Sequence, residues 1–483
     1  MESPSIKKNF IYSSVYQVLV LIIPFITAPY VSRVLGPEGV GIYSYTSSIM
    51  TFFTLFAALG TASYGSREIA RHRDNAEEAS KIFWEIEFVT VGTSLLCLAA
   101  WTGVIIFSKE YRCYYLALTP LLLGTLFDIS WFFNGLECMK YNVLRNSICK
   151  IAGVAFIFLL VREKTDLIRY VLINSFVTML GNLSMWTYLP RFLVSVDWRK
   201  FEVKKHVKET LVYFVPTVAG SVYTVLDKTL IGAITKNLYE NGYYEQATKI
   251  INMIKALVFT SVNTVMGPRI SYLFAQHRTE EIRYRIEKSM NYILLLGYAC
   301  VFGLIGIASS FVPVYFGDGY DGVIWILYIL APIVLIIGVS NCLGSQYYTP
   351  AGLRAFSSKI IIIGAVANLC ANLFLIPWFG SKGAALGSIV AELLISVLYV
   401  RFSKGYMTLR ILWKHSWKRM IAGILMLCVV KMLQKLGIEG TFSAVGIQVV
   451  LGAIIYGSVL LCLQDEIIYN YFLKLFQRGK KVK

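Results

Sequence analysis

Apolar residues in this chain come in long runs separated by short polar segments, and fourteen of the runs are long enough to cross a bilayer. A spanning helix needs about 20 residues at 1.5 Å rise per residue. On that criterion spans fall near 10–32, 41–63, 83–107, 114–136, 146–162, 166–187, 209–235, 243–268, 288–310, 322–342, 357–378, 383–401, 417–434 and 443–463. The pattern predicts an all-α polytopic membrane protein with about 14 transmembrane helices. Composition agrees, because 57% of the 483 residues are hydrophobic and an ordinary soluble core cannot hide that much apolar surface. Met1 to Asn9 is short and polar, and the apolar run after it lacks a small-residue cleavage site. That run is therefore expected to remain as the first span.

The basic residues alternate in a way that sets an orientation. With Lys7 and Lys8 inside, inner segments hold 33 of the 46 lysines and arginines, outer segments hold 10, and Lys228, Lys249 and Lys255 fall within spans. Such a bias toward one side marks the cytoplasmic loops, so both termini are expected there. The net charge of +18 is mostly this topology signal, with some affinity for anionic membrane lipids. It does not point to a nucleic-acid partner, since no soluble basic domain exists to carry one.

The longest loops, 64–82, 188–208, 269–287 and 402–416, are all inner ones. A membrane polymerase or ligase working on the outer face would need a larger outer loop to hold its acid and base groups, so an enzyme is not expected. No G-x-S-x-G, H-E-x-x-H or phosphate-cradling glycine loop occurs in a suitable context. The nine cysteines include no C-x-x-C, and the four histidines lack ligand spacing, so neither a disulfide framework nor a metal site is expected.

A faint repeat divides the chain. Gly41-Ile42-Tyr43 opens the second span and Arg67 follows 26 residues after Gly41, while Gly242-Tyr243-Tyr244 opens the eighth and Arg269 follows 27 residues after Gly242. An offset of six spans relates the halves by an axis along the membrane normal. The expected organisation is an N-terminal six-helix bundle at 1–190, a basic linker at 191–208, a second six-helix bundle at 209–402, and two extra helices with a basic tail at 403–483.

Several stretches are more specific. The first span runs into Tyr30-Val31-Ser32-Arg33-Val34-Leu35-Gly36-Pro37-Glu38-Gly39-Val40-Gly41, and the fourth reads Phe127-Asp128-Ile129-Ser130-Trp131-Phe132-Phe133-Asn134-Gly135. Asp227-Lys228, Gly267-Pro268-Arg269 and Gly344-Ser345-Gln346 follow, then Asn372-Leu373-Phe374-Leu375-Ile376-Pro377, Gly380, Gly383-Ala384-Ala385 and Glu392. As an ensemble, from about Lys7 to Glu392, they resemble the Wzx-type flippases, in the polysaccharide branch of the multidrug/oligosaccharidyl-lipid/polysaccharide superfamily. The resemblance implies a flippase of the bacterial cytoplasmic membrane that serves O-antigen or capsule synthesis. It would turn an oligosaccharide repeat unit on undecaprenyl pyrophosphate from the inner to the outer leaflet by alternating access. A polysaccharide polymerase and its chain-length machinery are the protein partners it suggests. A cation-coupled small-molecule antiporter of the same superfamily is the alternative.

The intramembrane charges supply candidate site residues. Lys255 lies about 20 Å along the eighth span, where a lysine costs about 2.5–3.5 kcal/mol unless it faces water or an acid. A basic surface of Lys255, Lys228, Lys249 and Arg33, with Arg269, would suit a pyrophosphate. Against this, Lys249 has Glu245 one turn away as an ion-pair partner, and Arg33 and Arg269 sit at span ends, where arginine often serves as an anchor. Asp128, Glu392 and Asp227 are intramembrane carboxylates, suited to handling a coupling proton or sodium ion, with helix–helix hydrogen bonding as the plainer alternative. No other cofactor is expected. Trp131 and Tyr223 are aromatic candidates for stacking on sugars.

Overall fold

The computed structural model describes residues 6–480; side chains within 6–21, 215–224, 260–265 and 474–480 are described in part or not at all, and Tyr223 falls among these. Every regular element among the described residues is helical, so the protein is all-α. The chain separates into two compact units, Met1–Gly242 and Tyr243–Lys483.

The first unit opens with α1 (Ile6–Ala58), whose fifty-three residues are two arms meeting at Gly36. Gly36 has φ 69°, a left-handed backbone that glycine adopts without a Cβ penalty, and Pro37 follows as the first residue of the second arm. The short α2 (Thr61–His72) precedes α3 (Ala76–Phe107), which Asn75 caps through its side chain. Next come α4 (Arg112–Leu126), the single turn and a half of α5 (Ser130–Gly135), and α6 (Met139–Leu160). Then come α7 (Leu167–Ser184) and α8 (Val203–Thr235). The interruption between α4 and α5 falls at Phe127–Ile129, inside the fourth expected span.

The seventh span, α8, packs on α1, α2 and α3 along its length. Near its start His206 is buried between Tyr64 and Glu85, with 2.8 Å hydrogen bonds to each. Near its end Thr229 meets Ser48 of α1 at 2.7 Å, and a Cβ on Gly232 would collide with the Tyr45 ring. The repeat glycines meet as well: a side chain on Gly41 would strike the Leu238 carbonyl, and one on Gly242 the Pro37 carbonyl. Their bareness lets the first turn of α9 (Leu238–Ala275) lie backbone to backbone against α1.

In the second unit α9 is followed by α10 (Thr279–Phe316), α11 (Asp321–Leu330) and α12 (Ile333–Leu343), which runs into a π-helical turn at Gly344–Tyr348. α11 and the α12 segment bend by 43° at Ala331–Pro332, and taken together they are long and apolar enough for one span. α13 (Arg354–Arg401) is again two arms, reversing at Gly380 with φ 54°. The arms run antiparallel in close contact: side chains on Gly383 and Gly387 would collide with Leu375 and Asn372 of the first arm, and Gly364 lies under Ile395 of the second. The motif from Asn372 to Gly387 is thus the seam of a helical hairpin. α14 (Leu409–Lys435) and α15 (Phe442–Cys462) follow, then α16 (Glu466–Lys480).

Among the described residues, eight helical segments are long and apolar enough to cross a membrane, nine with the bent pair. Two of these, within α1 and α13, each hold two arms, and α8, α9 and α14 are also of spanning length. The result is about fourteen spans, in register with those expected.

The final pair of helices packs on α10. Arg419 of α14 is fully buried and donates to the Asn291 carbonyl at 2.7 Å, to the Asn291 side chain, and to Asp465 at 3.2 Å. Gln434 and Gln448 extend this polar seam to Gly306 and Ser310, beside an apolar cluster of Leu295, Ala422, Met426, Val430, Tyr456 and Leu460.

Candidate functional site

In the second unit α9 and α13 bring the expected residues Lys255 and Glu392 into electrostatic contact. Lys255 is half-buried, midway along a 38-residue helix, while Glu392 is 5% exposed on the second arm of α13. The two helices touch directly where Tyr244 and Ser388 share a 3.2 Å hydrogen bond. Lys249 pairs with Glu245 one turn back, at 3.3 Å. Its charge is therefore met within its own helix, as the i,i+4 spacing allows.

Two turns beyond Lys255, Asn263 donates to Asn341 at 2.7 Å, and its oxygen accepts from Ser345 at 3.1 Å and Gln346 at 3.3 Å. Ser345 and Gln346 reach it because the π-helical turn widens α12 at that level. Lys255 and Asn263 thus give α9 two polar positions, two turns apart. Arg269 is elsewhere, in an arginine cluster on Glu281: Arg269 lies 3.3 Å, Arg278 2.9 Å and Arg285 3.2 Å from its carboxylate. That is about 21 Å along α9 from Lys255.

A cavity of about 590 Å³ also opens in the second unit, walled by Leu294 and Tyr298 of α10, Leu335 and Val339 of α12, Leu393 of α13 and Leu412 of α14. Arg401 is a charged group on its lining.

In the first unit the expected residues are spread out. Arg33 is exposed near the end of the first α1 arm, three residues before Gly36. Asp227 is buried and Lys228 half-buried on α8, where the Lys228 carbonyl accepts from Asn241 at 2.6 Å. Asp128 lies in the break between α4 and α5 and accepts the Ser130 backbone N–H at 3.0 Å, which starts α5. Trp131 is core, 1% exposed and stacked on Phe83, with its ring over Gly65.

Other groups were not singled out from sequence. Glu87 on α3 is 2% exposed, neither of its carboxyl oxygens has a hydrogen-bond partner among the described residues, and it interacts with Asp128. Its neighbour Glu85 is bound by His206 and by the Glu202 N–H at 2.6 Å. Both sit at the very start of the expected span 83–107, but α3 begins earlier, at Ala76, which places them two to three turns inside the helix. Arg145 and Lys150 were counted with an inner loop, yet α6 begins at Met139 and holds both.

A multi-pass membrane protein of two helical units, with charged and amide side chains gathered inside its spans, is the class that fold and site define. The chain belongs to the polysaccharide biosynthesis protein family, whose model matches residues 6–274; the model for the lipid II flippase MurJ matches residues 141–451. A putative O-antigen transporter of Escherichia coli is 26% identical over 410 residues, 83% of this chain and 97% of that protein. A probable low-salt glycan biosynthesis flippase of Haloferax volcanii, Agl15, is 22% identical over 91% of this chain and 92% of its own length. Among solved structures, lipid II flippase MurJ in an inward closed conformation superposes with a TM-score of 0.74 at 18% identity, covering 95% of this chain and 99% of that one. A MATE multidrug transporter superposes at 0.56 with 17% identity, covering 83% and 96%. These two likenesses establish the fold.

Proposed function

We propose that this protein is a flippase for lipid-linked oligosaccharides, a transporter and not an enzyme. It turns repeat units carried on undecaprenyl pyrophosphate from the inner to the outer leaflet of the bacterial cytoplasmic membrane, with both termini cytoplasmic. The observation that carries this reading is Lys255, a cation held deep in a transmembrane helix in electrostatic contact with Glu392, with an amide cluster two turns further along the same helix. Membership of the polysaccharide biosynthesis family and the names of the relatives supply the substrate class. A pyrophosphate needs cations and N–H donors at membrane depth. Within the second unit Lys249 and Arg269, and within the first Lys228 and Arg33, are the further candidate cations for the headgroup. The apolar cavity at Leu294 and Leu412 has the chemistry to take an isoprenoid chain. A polymerase and its chain-length machinery would receive the product.

Lys255→Ala tests the reading. At normal membrane levels of the variant, lipid-linked oligosaccharide should accumulate on the inner leaflet, and Lys255→Arg should retain part of the transport. Normal transport by Lys255→Ala would reduce the residue to a structural partner of Glu392 and remove the charge logic of the site.

A further inference from the structure

The first unit contains two intramembrane cations that the Proposed function leaves unused. α6 is a 22-residue helix of spanning length, and Arg145 and Lys150 lie six and eleven residues into it. At 1.5 Å per residue Lys150 is about 16 Å from either end, too deep for its stem to carry the ammonium to an interface. Both side chains are half-buried in the structure. Their partners are neutral. Arg145 donates to Asn182 Oδ1 at 2.9 Å and to Asn146 Oδ1 at 2.6 and 3.1 Å, while the Lys150 ammonium lies 5.7 Å from the centroid of the Tyr16 ring on α1. Asn182 is itself fixed, since its amide donates to the Gly124 carbonyl at 2.7 Å, and it is buried. Gly181 beside it lets α7 close onto Cys149 of α6, next to the Arg145 side chain.

Charges at this depth are costly and are met by an opposite charge, by water, or by a ligand. Among the described residues no carboxylate lies within ion-pair distance of either group. We infer that Arg145 and Lys150 form an anion site in the α1–α6–α7 seam of the first unit, and that it takes a phosphoryl group. Arg145 offers a planar fork held by Asn182, and Lys150 offers a mobile point charge one and a half turns further into the membrane. Tyr16 and Asn182 are positioning residues. Two sources present this chemistry in a membrane, the pyrophosphate of a lipid-linked oligosaccharide and the phosphodiester of an ordinary phospholipid. The inference rests on the flippase reading for the first source only.

Binding of inorganic pyrophosphate to the purified full-length chain tests it without requiring transport. Lys150→Gln and Arg145→Gln should each weaken binding about tenfold, the loss of one charge-assisted contact, whereas Lys150→Arg should bind like the native chain. Lys255→Ala, altered in the other unit, should keep this component. Loss of transport in Lys255→Ala together with retained binding at α6 therefore separates the two proposals. A second measurement leaves the cations in place: with Cys149 as the sole cysteine, pyrophosphate should slow its alkylation by a maleimide. Native affinity in both glutamine variants, or unprotected Cys149, overturns the site. Comparison of neutral with phosphatidylglycerol-containing nanodiscs then assigns the source. Unchanged pyrophosphate affinity supports the lipid-linked headgroup, and competition by phosphatidylglycerol supports a phospholipid in the same anion site.

Discussion

At the scale of single residues, Asp128 and Glu392 differ in how they are held. Asp128 terminates a helix break by accepting the Ser130 N–H and interacts with the Glu87 carboxyl, which has no hydrogen-bond partner among the described residues, whereas Glu392 is buried in a hairpin and acts on Lys255. Two interacting carboxyls do not both carry charge at no cost, and the coupling role expected of Asp128 is tested there. Asp128→Asn should make transport independent of the ion gradient while substrate still protects nearby cysteines from labelling. If Asp128→Asn and Glu392→Gln both transport at the native rate with unchanged gradient dependence, neither carboxylate couples, and the membrane potential acting on a charged headgroup becomes the driving force to examine. Sequence singled out Asp128 and Lys255 because each interrupts a long apolar run. Glu87, Arg145 and Lys150 were missed because they lie within a few turns of a polar loop, where hydropathy cannot tell the end of a span from its interior. Only the helix start, Ala76 for α3 and Met139 for α6, separates the two cases.

At the scale of elements, the spans were legible because a bilayer demands long apolar helices, while the way they pair was not. Nothing in the apolar run of α8 announces that His206 will be clasped by Tyr64 and Glu85, since those contacts join residues more than a hundred positions apart. Glycine spacing was the better guide. Gly41 and Gly242 proved to face one another's helices, and Gly383 and Gly387 to line the seam of the α13 hairpin. A Cβ at Gly383 would overlap the Leu375 carbonyl, so Gly383→Val should force the arms apart and lower thermal stability in detergent by about 1–3 kcal/mol. The C-terminal pair depends on a different joint. Arg419→Met would leave Asp465 buried without its cation and should cost about 3–5 kcal/mol, read as a lower unfolding temperature. The double change Arg419→Met with Asp465→Leu should recover much of that loss, because no unpaired charge remains.

For the whole molecule, the proposed threading of the bilayer, with both termini cytoplasmic, rests on the basic loops and the span count. Single cysteines in a cysteine-free background check it: Asp318→Cys should react with an impermeant reagent from outside, and Lys204→Cys should not. Reaction of Lys204→Cys from outside would invert the first unit and break the assignment of both termini to the cytoplasm. The reversal at Gly380 also bears on how such a chain is made. Its two arms are separated by one left-handed residue, so no slack exists for the first to settle across the bilayer and the second to follow later. Leu375 and Gly383, or Asn372 and Gly387, must already be side by side when the turn reaches its final depth. The first arm should therefore stay in the insertion machinery until about twenty more residues have left the ribosome, an expectation that crosslinking of stalled nascent chains would check. The pair then partitions into lipid together, which makes α13 a single unit of biogenesis although it crosses the membrane twice.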